Sequence, residues 1–77
     1  MSTPIQWLLI GGPRHGTTVW IKSGWSVVAP DGTAYIGRNW LEDGRLYRVG
    51  FSDVSNIQPD AVRSLIQRLK PVHIAGS

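Results

Sequence analysis

Apolar positions in the first two-thirds of the chain come in short runs broken by turn residues. In the last third they recur with a helical period. Residues 5–10 (Ile-Gln-Trp-Leu-Leu-Ile) form a compact apolar segment between Pro4 and Gly11-Gly12-Pro13, which predicts a buried strand. Residues 17–22 are β-branched and aromatic and predict a second strand, closed at Ser23-Gly24. The loop 11–16 between them makes the pair a hairpin. Residues 25–29 predict a third strand that stops at Pro30-Asp31-Gly32, where proline presets φ and glycine supplies a positive one. Residues 33–40 and 45–51 predict the fourth and fifth strands, separated by Glu42-Asp43-Gly44. Both Asp-Gly pairs are hairpin signals, and Gly37 marks a bulge or a close backbone approach.

Ala61, Val62, Leu65, Ile66 and Leu69 then lie on one stripe of a helix over about residues 59–70. Pro59 suits the first helical position, Asp60 faces the positive end of the helix dipole, and Pro71 stops the helix. The pattern reads as one α+β domain over 1–77, with only 75–77 free to fray. Its core is a small curved antiparallel β-sheet of about five strands, read as a meander and open or partly closed into a barrel. One C-terminal helix packs on one face. Val19, Ile21 and Val49 are the expected aliphatic partners of the helix, which leaves Trp20, Lys22 and Arg48 for the uncovered face.

With 77 residues there is room for one modest core, and the 42% hydrophobic and 17% charged content is that of a folded domain. Four tryptophans, two tyrosines and a phenylalanine are a heavy aromatic load for this length. A chain so short buries only about 60% of the surface its unfolded form exposes, so some rings are expected on a face that meets something else. Net charge is +3, which permits a phosphate partner without requiring one. The absence of cysteine excludes disulfides and thiolate chemistry and points to a reducing, cytoplasmic setting. The longest apolar run, residues 7–10, is too short to span a bilayer, and no basic segment precedes it, so no membrane partner is expected. A small core without staples favours self-association.

No residue pattern points to catalysis. The two histidines, His15 and His73, are far apart in sequence and do not make a metal site. The five acidic residues fall at turns or at the helix start, where carboxylates serve as caps. Neither cofactor nor metal is expected, and the chain reads as a non-enzyme. In the loop 11–16, Arg14 and His15 could meet an anion approaching the glycine backbone. A phosphate cradle ordinarily opens a helix, however, and here strand formers follow, so a wide hairpin turn is the competing reading.

Residues 8–16 (Leu-Leu-Ile-Gly-Gly-Pro-Arg-His-Gly), followed by a valine-rich strand and a later Tyr-x-Arg pattern that Tyr47-Arg48 matches loosely, resemble a class of short bacteriophage and prophage proteins. These proteins open with an apolar strand and a Gly-Gly-Pro-x-x-Gly turn. The resemblance covers residues 8–21 well and the tyrosine segment loosely; the helix has no counterpart in it. It implies an accessory protein acting in the cytoplasm of a bacterial host cell, and many such proteins bind and block a host factor. Two functions follow. In the first, Trp20, Lys22, Arg48, Arg14 and His15 serve a face that engages a host protein or a second copy of the chain. In the second, the rings stack on bases and the cations meet phosphates of nucleic acid.

Overall fold

Turn chemistry divides the chain into five strands and a helix: β1 (Ile5–Ile10), β2 (Thr18–Ile21), β3 (Ser26–Val28), β4 (Ala34–Glu42), β5 (Arg45–Phe51) and α1 (Pro59–Leu69). The computed structural model describes residues 3–74, so the expected fraying of 75–77 lies outside the described residues. Two Asp-Gly pairs fold as expected. Asp43 and Gly44 both take positive φ in the tight β4–β5 hairpin. Pro30 and Asp31 lie inside a turn closed by the Gly32 N–H on the Ala29 carbonyl, and the Asp31 carboxylate accepts the Thr33 N–H at 2.9 Å.

The strand order is β2-β1-β5-β4-β3. Three of the four pairings are antiparallel, and the central pairing of β1 with β5 is parallel, with Trp7 opposite Arg48. The sheet is therefore mixed at its centre rather than a simple meander. The reason lies in β1, whose consecutive apolar residues need cover on both faces, as a central strand has. A parallel partner needs a long crossover, and β2, β3 and β4 together form it.

This order puts two successive strands, β2 and β3, on opposite edges, joined only by residues 22–25. Flat, the edges of five strands would stand about 19 Å apart. The link from Ile21 to Ser26 reaches at most about 17 Å when fully extended. The sheet must curl, and it does so as a half-barrel.

Each face of the curled sheet carries its own core. On the convex side Val62, Leu65 and Ile66 of α1 pack with Leu8, Tyr47, Val49 and Phe51. On the concave side Trp7, Leu9, Ala29 and Tyr35 are buried, with Ile5, Val19, Ile21 and Val27 packed against them. Val49 meets the helix as expected. Val19 and Ile21 do not; they face the concave side, because Val19 sits opposite Trp7 and Ile21 opposite Ile5. Leu69, at the end of the helical stripe, stays 40% exposed at the rim.

The helix starts at Pro59 with Asp60 in its first turn, and Gln58 offers no side-chain cap. It stops one residue before the expected end. Lys70, forced out of the right-handed helix by Pro71, adopts φ 49° and donates its N–H to Ile66. The Arg63–Glu42 ion pair, at 3.2 Å, ties α1 to the end of β4. Among the described residues no helix is long and apolar enough to cross a membrane.

Candidate binding face

The concave face is built in rows. Val19, Trp7, Arg48 and Asn39 lie side by side across β2, β1, β5 and β4 with their side chains on that face. The next row carries Leu9, Gly50 and Gly37. A Cβ on Gly37 would stand 2.6 Å from the Trp7 ring, and one on Gly50 3.0 Å from it. Two glycines thus make room for one tryptophan, which is the close approach expected at Gly37.

Arg48 is the unusual member of its row. It is only 8% exposed. Its guanidinium carbon lies 3.9 Å from the centroid of the Trp25 ring and 5.6 Å from that of Trp7. Its Nε donates to Asn39 Oδ1 at 2.9 Å. Burial lowers its pKa from the ordinary arginine value, a shift that leaves the guanidinium charged at neutral pH. Trp25 comes from the link 22–25, whose crossing from edge to edge brings the ring over the face. Gly24 at φ 98° bends that link, and the Gly37 N–H donates to the Trp25 carbonyl at 2.7 Å. One side of the Trp25 ring covers Arg48, and the residue remains 57% exposed.

Beyond this stack the half-barrel stays open. Val19 and Ile21 of one edge and Val27 and Val28 of the other line a cleft of about 170 Å³, floored by Leu9 and Ala29 with Arg14 at its rim. Val27 faces into the cleft, opposite Tyr35, whereas the Val28 side chain alternates to the other face and is 68% exposed.

The loop 11–16 closes one end of the concave face as a self-satisfied turn. The buried Tyr35 hydroxyl donates to the Gly11 carbonyl at 2.8 Å and accepts the Arg14 N–H at 3.2 Å. His15 Nδ1 accepts the Gly11 N–H at 2.8 Å, which leaves Nε2 to carry the proton of the neutral ring. The glycines at 11, 12 and 16 all have positive φ, and a Cβ on Gly12 would meet the Tyr35 hydroxyl at 2.8 Å. Hairpin geometry accounts for this motif.

The five residues singled out from the sequence do not form one constellation. Arg14 and His15 are exposed on the end loop, and Lys22 is exposed at the start of the link. Arg48 is buried on the concave face. Trp20, 57% exposed, alternates with Val19 and Ile21 and so points to the helix side, where it lines a cleft of about 340 Å³ with Pro4, Gln6, Val72 and Ile74. The expected grouping of Trp20, Lys22 and Arg48 on a single uncovered face is thus corrected: a face opposite the helix exists, but Arg48 reaches it and Trp20 does not. Trp25 is the residue that sequence reasoning missed. Its signal was position, a lone ring in a short glycine-containing link where no strand partner could bury it.

Compared with known protein families, curated proteins and solved structures, the chain matches none.

Proposed function

We propose that this protein is a small, non-enzymatic binding module whose concave face engages a protein partner. The observation that carries the reading is the cleft between the edges β2 and β3, walled by Val19, Ile21 and Val27, with exposed Trp25 stacked over Arg48 of the same face. A clustered apolar surface next to a tryptophan and an arginine has the composition of an interface hot spot. Both walls are edge strands with one unpaired side, which suits an extended segment of a partner. The resemblance of residues 8–16 to short phage and prophage proteins supports a bacterial host protein as that partner, within the host cytoplasm.

Nucleic acid is the second reading, and the Trp25–Arg48 stack is the observation in its favour. A second copy of the chain is the third, favoured by the outer edge of β4 beyond Gly37, which β3 leaves unpaired. The test is capture of tagged protein from bacterial lysate with and without nuclease, combined with sedimentation of the purified chain. The reading requires a nuclease-resistant protein partner that Trp25→Ala releases and Trp20→Ala retains. Trp25→Ala should weaken that complex by about 2 kcal/mol or more. Recovery that depends on nucleic acid, or a partner lost only with Trp20→Ala, would overturn it.

A further inference from the structure

The concave face holds a charge that has no counter-charge among the described residues. Arg48 is 8% exposed, yet among the described residues the ion pair found is Arg63–Glu42, and no carboxylate reaches Arg48. Its guanidinium is fixed by three neighbours: Trp25 on one side, Trp7 nearby, and Asn39 accepting from Nε. Neither Nη has an acceptor among the described residues, and no fully buried side-chain nitrogen there lacks one. The Nη edge of the fork therefore reaches solvent while the rest of the side chain is packed. An arginine held in this way has already lost its rotamer freedom, and its outward edge matches the two oxygens of a carboxylate.

We propose that Arg48 is the specificity-determining anchor of the face, receiving an acidic side chain of the protein partner on its Nη edge beneath the rim of Trp25. This rests on the protein-binding reading above and names the chemistry of the partner. The ligand is an aspartate or glutamate flanked by apolar residues, because the apolar cleft opens on the same face as the arginine. A partly buried cation beside an apolar wall repays an anion that brings apolar surface with it. A phosphate backbone, by contrast, calls for several exposed cations along a track. Here Arg14 lies at the rim of the cleft and Arg48 lies within the row, with no basic track between them.

The test is an NMR titration of the intact protein, following the Arg48 Nε–H resonance and Trp25 fluorescence. The probes are the capped peptide acetyl-Val-Glu-Val-amide, its glutamine analogue, inorganic phosphate and an oligothymidylate. The glutamate peptide should shift the Arg48 resonance and perturb Trp25, and the glutamine analogue should bind about tenfold or more weakly. Arg48→Lys keeps the cation but loses the planar fork, and should lose most of that preference. Equal binding of the two peptides, an Arg48 resonance unmoved by either, or tighter binding of phosphate or oligothymidylate would overturn the proposal. These readouts do not depend on the lysate capture. A partner released by Trp25→Ala, with an Arg48 resonance of the unaltered protein blind to glutamate, would leave the protein-binding reading standing and sink this one.

Discussion

The ring of Trp7 occupies the space where a side chain on Gly37 would begin, its Cη2 atom 2.6 Å from an ideal Cβ there. The ring comes from β1 and reaches across β5 to β4, so this one contact sets how tightly the half-barrel curls. Gly37 has no positive φ, which makes space rather than backbone freedom the reason for glycine. Gly37→Ala should therefore destabilise the fold by about 1–3 kcal/mol, as overpacking does. Trp7→Phe in the same chain should recover part of that loss. Denaturant unfolding of the two single variants and the double variant measures the coupling, and strict additivity would remove Trp7 as the obstacle.

On the convex side Leu65 is buried among Leu8, Tyr47, Val49 and Phe51. Leu65→Ala should cost about 2–5 kcal/mol. Leu69→Ala, at the exposed rim, should cost much less. Equal losses in thermal unfolding would mean that the helix stripe is seated differently.

The four tryptophans should differ in acrylamide quenching of single-tryptophan variants. Trp20 and Trp25 are each 57% exposed and should be quenched readily. Trp7, buried at 1%, should be shielded, with the half-buried Trp40 between them. Quenching of Trp25 that falls as protein concentration rises would identify the concave face as a self-association surface.

Tyr35→Phe removes a hydroxyl that both donates to the Gly11 carbonyl and accepts the Arg14 N–H. The expected cost is about 1 kcal/mol, confined to the end loop. Amide exchange should rise at Arg14 and stay unchanged in β5.

Two exposed carboxylates link stability to acid. The Asp31 carboxylate accepts the Thr33 N–H, and Asp53 accepts the Ser55 hydroxyl at 2.6 Å and its N–H at 3.0 Å. These bonds hold both groups below the ordinary 3.8. A carboxyl with a lowered pKa in the folded state contributes its full stability above the unfolded value, and that contribution disappears as pH falls through the folded value. Melting temperature should fall below about pH 4. The double substitution Asp31→Asn, Asp53→Asn should flatten that fall, and an identical acid limb would assign it to other groups.

Local chemistry was readable wherever it is decided within a few residues. The Asp43-Gly44 turn, the helix between Pro59 and Pro71 and the small residue at Gly37 are all of this kind. The faces were harder. Period-two alternation says that Val19 and Ile21 share a side, but not that the helix lies on the other one. The assumption that only one face is covered led to Trp20 instead of Trp25. Two signals pointed the right way. The unbroken run Trp7-Leu8-Leu9-Ile10 has apolar residues for both sides of a sheet, and the alternation of Arg48 with Tyr47 and Val49 put it on the face opposite the helix. The crossing of residues 22–25 from edge to edge carries no local mark, because strand order is decided by which strand needs two neighbours.

That order also has a consequence for how the chain is made. β1 is the earliest of the five strands in the chain and an interior strand of the finished sheet, yet its parallel neighbour Arg48 is encoded 41 positions after Trp7. Until β5 emerges, the β1–β2 hairpin carries Trp7, Leu8 and Leu9 with one side of β1 unpaired and neither core assembled. Closing so long a loop before any central pairing forms is slow compared with hairpin formation. Any product cut short before residue 45 would keep this sticky edge permanently, as a substrate for chaperones, proteases or aggregation.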